Sequence, residues 1–337
     1  MKIAVDIMGG DHAPEELIKG AVAAAEHNPS LELILVGSEE VFQKFLPVLP
    51  PRIERLYSHS VMAMDEPVDH LRKKKDSSIY LATSLVREGK ADAIVSAGST
   101  GAQMAAAVLL IGRIKGVRRP AIVIPYPTLE GDKVMLDGGA NPDATVENLV
   151  DFAILGNAYA RHLLKIENPS VKLLSNGTES HKGTAVIVEA HQRLAATKCL
   201  SFDGNIEGRD MMKGGYDVVV CDGFSGNVAL KLTEGVASAL FKLVKDEITA
   251  TLPRKIGAAL IKPGLMNLRK RLDYSNQGGA PLLGVNGISI ICHGSSKAIA
   301  IEHAIVTAAN CVERDFIHHL ADAVSEYTAE QSKEVVK

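Results

Sequence analysis

Six times along this chain a short apolar run ends in a turn of glycine and small polar residues, and a helical pattern follows. The turns are Met8–Pro14, Ser96–Gly101, Asp137–Asn141, Asn176–Glu179, Asp222–Asn227 and His293–Ser296. The runs that lead into them are Lys2–Met8, Ala93–Ala97, Val134–Asp137, Val171–Leu174, Tyr216–Asp222 and Ile288–His293. Most are continuously apolar rather than alternating, as strands covered on both faces are. Leu31–Gly37 and Ala121–Pro125 also read as strands. Helical spacing occupies Glu15–His27, Glu39–Leu49, Asp69–Glu88, Gly101–Ile114, Val146–Leu164, Ala185–Ala196, Val228–Ala250 and Lys297–Tyr327. This alternation predicts a three-layer α/β/α sandwich with a mostly parallel sheet. In an open parallel sheet the turns after the strands share the carboxyl edge, where ligands bind.

A single domain over residues 1–330 is expected, with a frayed polar tail at 331–337. The 337 residues are 46% hydrophobic and 23% charged, which excludes a disordered or fibrous chain. Aromatics are 4%, Trp is absent and the net charge is −3, so a base-stacking nucleic-acid surface is not expected. Cys199, Cys221, Cys292 and Cys311 are scattered, without zinc or dithiol spacing, and fit a reducing cytosol. Asp6 interrupts the first apolar run too early for a signal peptide, and no apolar run is long enough to span a bilayer.

Helix N-termini with glycine beside them suit anions, because their N–H groups are unpaired and the backbone can approach closely. The phosphate motifs that name a nucleotide are missing: there is no G-x-x-x-x-G-K-[ST], and no G-x-G-x-x-G follows the first strand. The turns therefore point to a small anion or a phosphorylated ligand. Binding candidates are Asp6, Gly9, Gly10, Asp11, Gly98, Ser99, Thr100, Gly101, Asn141, Gly177, Thr178, Glu179, Arg209, Asp222, Asn227, Ser295 and Ser296. His12, Lys182 and His293 are the candidates for catalytic work. The plainer alternative is that such turns only cap helices, and that Lys182 and Arg209 are solvated surface charges. No Ser or Cys nucleophile signature, metal cluster or cofactor motif is present.

A separate feature lies at 248–272, where six of 25 residues are basic and none acidic. Arg254, Lys255, Lys262, Arg269, Lys270 and Arg271 accompany Ile256, Leu260, Leu265 and Leu268. The pattern over 253–272 predicts a hairpin of two short amphipathic helices hinged at Pro263-Gly264. Such a segment suits an anionic membrane or an acidic partner. Arg72-Lys73-Lys74-Lys75-Asp76 is a second, weaker basic run.

The opening MKIAVDIMGGDHAPEE, with Lys74–Ser78, GRIKGVRRPA at 112–121, GNIEGRD at 204–210, VVVCDGFSGNVALK at 218–231 and HGSS at 293–296, resembles the bacterial phosphate acyltransferase family of phospholipid synthesis. The chain departs from the usual pattern at Ser99, Gly138, Ser175-Asn176 and Thr184. The resemblance implies a fold like those of phosphotransacetylases and isocitrate-type dehydrogenases, with two intertwined subdomains, a cleft between them and a homodimer. It implies transfer of an acyl chain from acyl carrier protein to inorganic phosphate, and with no nucleophile signature or cofactor motif in the sequence the expected route is direct attack without a covalent enzyme intermediate or cofactor. It further implies a cytoplasmic enzyme that visits the membrane and passes acyl phosphate to a membrane acyl-phosphate:glycerol-3-phosphate acyltransferase. An NAD(P)-dependent dehydrogenase on a related fold is the alternative activity, and a non-enzymatic scaffold docking through 253–272 is a third reading.

Overall fold

The computed structural model describes the backbone of residues 1–272 and 278–335, and the side chains of those residues apart from 269–272 and 333–335. The strands are β1 (Lys2–Asp6), β2 (Glu32–Gly37), β3 (Ile53–Tyr57), β4 (Ala93–Ser96), β5 (Ala121–Ile122), β6 (Ile124–Thr128), β7 (Gly131–Leu136), β8 (Ser170–Ser175), β9 (Ser201–Glu207), β10 (Val218–Val220), β11 (Ala280–Leu283) and β12 (Ile288–Ile291). The helices are α1 (Glu15–His27), α2 (Glu39–Phe45), α3 (Ser78–Arg87), α4 (Thr100–Ala106), α5 (Val146–His162), α6 (Ala185–Ala196), α7 (Gly223–Ile248), α8 (Leu252–Leu272), α9 (Ala298–Glu313) and α10 (Phe316–Val335).

The strands form two sheets. One has the order β3-β2-β1-β4-β12-β11-β5, the other β6-β7-β10-β8-β9. Pairing is parallel except at β11, which opposes both its neighbours, and at β6. The mixed α/β, mostly parallel architecture agrees with expectation, but the strand expected over Ala121–Pro125 divides between the sheets. Ala121 and Ile122 pair with β11, while Ile124 onward pairs with β7. Val123, at the break, donates its N–H to Pro281 O. The chain thus leaves the first sheet at β5, builds the second, and returns through β11 and β12.

The strands without a sequence signal are β3, β9 and β11. β3 and β9 are sheet edges with one face exposed, so Glu54, Arg55 and Asp203 break the apolar run. β11 contains Pro281, which hides an interior strand. The helix expected over Lys297–Tyr327 breaks in two where Asp315 takes a left-handed φ of 46°. Its second half continues to Val335, through most of the expected frayed tail; residues 336–337 lie outside those described.

Helix packing holds the strand ends in place. The buried face of α1 is Leu17, Ile18, Ala21, Ala24 and Ala25, lying against α9. A Cβ on Gly20 would sit 2.5 Å from Ala298 O, so glycine lets the two helices touch. Removing the Leu17 side chain from this contact would cost about 2–5 kcal/mol.

α7 starts against the second sheet, with Leu230 in its core, and its later turns pair with α8 away from it, joined at Thr249–Thr251. The expected hinge at Pro263-Gly264 is absent: α8 is one helix with Pro263 inside it. The hairpin is therefore α7 with α8 rather than two halves of 253–272.

Candidate functional site

The six turns gather as two triplets, one per sheet. In the first sheet β1, β4 and β12 are adjacent and parallel, so their carboxyl ends bring the 7–13, 97–101 and 292–296 turns together. Asp6 organises the first two. Its buried carboxylate accepts from Met8 N at 3.0 Å and from Ser96 Oγ at 2.8 Å. Ser96 Oγ in turn accepts from Gly98 N at 3.1 Å. Burial pushes the Asp6 carboxyl above the ordinary carboxylate range, and the hydroxyls of Ser78 and Ser96 oppose that rise. A Cβ on Gly9 would lie 2.6 Å from Gly98 Cα, so Gly9 needs the room that glycine leaves. Asp11 N donates to Gly294 O at 2.8 Å, closing the triplet.

His293 is exposed. Its Nδ1 lies 2.7 Å from Ser295 Oγ and accepts from Ser295 N at 3.2 Å. A neutral imidazole with Nδ1 as acceptor carries its proton on Nε2, which leaves one N–H free to donate.

In the second sheet β7, β10 and β8 are adjacent and parallel. Their ends carry the 137–141, 222–227 and 176–183 turns. Asp137, fully buried, was not among the residues expected from sequence. Its Oδ1 accepts from the N–H groups of Ile122 (3.0 Å), Gly139 (3.3 Å) and Ala140 (3.2 Å). Its Oδ2 accepts from Asn141 N (2.6 Å) and Asn141 Nδ2 (2.9 Å). Asn141 O accepts from Gly223 N at 2.8 Å, which ties this turn to the start of α7. A Cβ on Gly226 would lie 2.0 Å from Asp137 O. At the departure Gly138, a Cβ would sit 2.1 Å from Ile124 Cδ1, so Ile124 occupies the space a side chain there would need.

β5 links the triplets. Ile122 hydrogen-bonds Asp137, Gly138 N donates to Ile122 O, and Asn141 Nδ2 donates to Pro120 O. β5 runs parallel to β12 two strands away, a separation of about 10 Å at ordinary strand spacing.

The expected residues fall into three groups. Lys182 is exposed with its Cγ packed over Gly177, and among the described residues its Nζ has no ion-pair partner. Thr178 and Glu179 are exposed on the same turn, and Asn205 Nδ2 donates to Glu179 O at 2.9 Å. His12, Asp11, Gly10, Thr100, Gly101, His293, Ser295 and Ser296 lie with Gly9, Gly98 and Ser99 in the first triplet.

A second group acts locally. Asp222 caps α7, accepting from Ser225 N and Ser225 Oγ, both at 2.8 Å. Ser99 caps α4 through Ala102 N. Asn141 is buried on Asp137, and Asn227 is exposed near Gly139. The α9 N-terminus, expected to receive an anion beside Ser295 and Ser296, already holds one: Ala298 N donates to Glu16 Oε2 at 3.0 Å. That hydrogen bond is the main reason the Glu16 carboxyl titrates below its usual range.

Arg209 forms the third group. It pairs with Glu207 at 2.6 Å on an exposed edge, the behaviour of a solvated surface charge. Sequence reasoning missed Asp137 and Ser96 because both read as ordinary turn and strand residues. The signal was positional: an acid or hydroxyl closing an apolar strand before glycine.

On the α7–α8 hairpin, Ile256, Leu260 and Leu268 are exposed and Leu265 is half-buried. Arg254 pairs with Glu247 of α7, so one of the bases read as free of acids has a local partner. Among the described residues, Lys255 and Lys262 have no ion pair. The side chains of Arg269, Lys270 and Arg271 lie outside those described. The exposed apolar residues of α7 follow an i, i+4 stripe: Phe224, Val228, Leu232, Val236, Leu240 and then Leu243. No described helix is long and apolar enough to cross a membrane. Among the described residues no cluster of His, Cys, Asp and Glu could hold a metal ion. Burial raises the Cys221 thiol well above its usual range and pushes Cys292 up to about 12, so neither is a ready nucleophile.

Chemically, the triplets offer closely approachable backbone, a lysine unpaired among the described residues and an imidazole N–H. That set suits holding an anion and stabilising developing negative charge.

Residues 1–319 match the family described as fatty acid synthesis protein. A phosphate acyltransferase of Desulfitobacterium hafniense (strain DSM 10664 / DCB-2) is 54% identical over 335 residues, covering 98% of this chain and 100% of that protein. One from Moorella thermoacetica is 50% identical over 325 residues, covering 96% of this chain and 95% of the relative. Among solved structures, a phosphotransacetylase from Streptococcus pyogenes superposes with a TM-score of 0.62 at 19% identity, covering 93% of this chain and 94% of that one. This last likeness shows the fold.

Proposed function

Because the chain belongs to the fatty acid synthesis protein family, with phosphate acyltransferases as its full-length relatives, we infer that it transfers an acyl group from acyl carrier protein to inorganic phosphate. It is a transferase, and its product is acyl phosphate for lipid synthesis. The observation that carries this reading is 54% identity along essentially the whole of a phosphate acyltransferase. The dehydrogenase alternative has neither a dinucleotide fingerprint in the sequence nor support among these relatives.

The residue roles rest on the geometry above. Phosphate is already an anion near neutral pH and needs positioning more than deprotonation. The glycine-bearing turns and Lys182 are suited to hold it. A phosphate oxygen attacks the thioester carbonyl, and the C–O bond forms as negative charge grows on the carbonyl oxygen. The His293 Nε2–H is the donor we assign to that charge. The C–S bond then breaks and the carrier leaves as a thiolate, with exposed His12 available to protonate it. Arg209, engaged with Glu207, has the weaker claim.

Two further assignments concern the hairpin. The α7 stripe is an unpartnered apolar face, and a second copy of this chain is the occupant that would give a homodimer. Exposed Ile256 and Leu260 with Lys255 and Lys262 on α8 fit a peripheral contact with an anionic membrane, where a membrane acyltransferase would take the product. A cytoplasmic location accords with both.

The deciding experiment incubates the purified chain with hexadecanoyl-acyl carrier protein and phosphate. Phosphate-dependent release of carrier thiol together with hydroxylamine-trappable acyl phosphate is expected. Carrier binding with no turnover would instead favour the scaffold reading.

A further inference from the structure

The segment between β3 and α3 crosses the first triplet of turns and is held there by a compact set of contacts. Met62 and Leu71 are buried with Ile79, Ala102, Ala106 and Leu110, which fastens the segment to α3 and α4. Between those two anchors the Glu66 carboxylate accepts from Lys74 Nζ at 2.7 Å and from Ala63 N at 3.1 Å, and lies 3.0 Å from His70 Nδ1. Lys74 Nζ also donates to Val61 O at 3.0 Å. At the segment's end Ser60 Oγ donates to Asp76 Oδ1 at 2.8 Å.

This bracing presents two large apolar side chains to solvent at the edge of the site. Met64 is 51% exposed and Val68 is 41% exposed. Each rests on a glycine of a different turn. A Cβ on Gly294 would lie 3.1 Å from Met64 Cε, and one on Gly101 would lie 3.0 Å from Val68 Cγ2. Isolated exposed apolar residues are ordinary. Two of them, on one braced segment and in contact with two polar, anion-suited turns, call for an apolar partner that arrives at the same place as the anion.

We propose that Met64 and Val68 form the wall that receives the acyl chain of the thioester substrate, making them specificity residues for chain length. This rests on the acyl-transfer reading. The substrate's chemistry selects the occupant: the reacting carbonyl carbon is bonded directly to the alkyl chain, so the first methylenes must leave the phosphate-holding turns along whatever surface adjoins them. Here that surface is the Met64 thioether on Gly294 and the Val68 isopropyl group on Gly101. Each methylene removed from water favours binding, so even a short stretch of wall discriminates long chains from short ones.

The test compares kcat/KM for hexadecanoyl- and acetyl-acyl carrier protein, since the acetyl group has no methylene to place on the wall. In Met64→Asp and Val68→Asp the hexadecanoyl-to-acetyl ratio should fall about tenfold, and in Met64→Ala and Val68→Ala about threefold or more. The conservative Met64→Leu and Val68→Ile should keep the ratio within about twofold. A ratio that stays constant across all six variants, whatever happens to absolute rate, overturns the wall, because a purely structural role would lower both substrates together. Absence of acyl phosphate from the unsubstituted chain with either thioester would instead overturn the acyl-transfer reading beneath it.

Discussion

Asp137 Oδ2 accepts two hydrogen bonds from one residue, Asn141, through its backbone N–H at 2.6 Å and its side-chain amide at 2.9 Å. The turn between them is wrapped around a buried carboxylate and passes its geometry to α7 through the Gly223 N–H. Asp137→Ala strands four backbone donors, of which those of Ile122 and Asn141 are buried and cost about 1–3 kcal/mol each when unsatisfied. A loss of at least about 3 kcal/mol in chemical unfolding is expected, with acyl-transfer activity lost alongside. Full stability in that variant would mean water replaces the carboxylate.

Lys182 and Arg209 should behave differently although both are exposed bases near strand ends. The Lys182 ammonium has no ion-pair partner among the described residues, whereas Arg209 is bound to Glu207. Lys182→Ala should raise the KM for phosphate about tenfold or more, the scale of a lost charge-assisted hydrogen bond. Arg209→Ala should change it less than about threefold. Equal effects in steady-state kinetics would remove the distinction drawn from the geometry.

Glu66 offers a pH signature. Its hydrogen bond from Lys74, followed by those from Ala63 N and His70, depresses its carboxyl from the ordinary 4.5 to about 2. A carboxyl depressed in the folded state stabilises the fold fully above its unfolded value and stops doing so as pH falls through the folded one. The difference in Tm between the native chain and Glu66→Gln should therefore be largest above pH 4.5 and shrink toward pH 2. A difference that stays constant across that window would show that the ion pair does not brace the segment.

The α7–α8 hairpin should separate membrane contact from chemistry. Lys255→Glu with Lys262→Glu should weaken sedimentation with anionic vesicles at low salt, and Ile256→Asp with Leu260→Asp should weaken it at any salt. Turnover of soluble acyl-acyl carrier protein should remain within about twofold. If turnover falls while vesicle binding holds, the hairpin serves the carrier protein or the subunit contact instead.

Most of the architecture was readable because burial on both faces writes itself into composition. β1, β2, β4, β10 and β12 are covered strands, and α1 and α6 matched the expected Glu15–His27 and Ala185–Ala196 end to end. β11 escaped because Pro281 hides an interior strand, and α8 ran on through Pro263 where proline predicts a stop. Among site residues, the glycines and Lys182 were legible from turn pattern. Asp137 was not, since an acid at a turn is common and only its enclosure by Ile122, Gly139, Ala140 and Asn141 makes it unusual.

The sequence by itself determined most of the elements and the turns that end them, because periodicity and glycine act over a few residues. Its family motifs also carried the reaction. Which turns stand together was decided by tertiary structure alone. Adjacency of β1 with β4 and β12, and of β7 with β10 and β8, comes from strand pairings between residues 47 to 195 positions apart. The same pairings divide one expected strand at Val123 between two sheets, and they lay Met64 and Val68 on the glycines of turns distant in sequence. Such contacts depend on how whole layers pack, and no local pattern of residues encodes them.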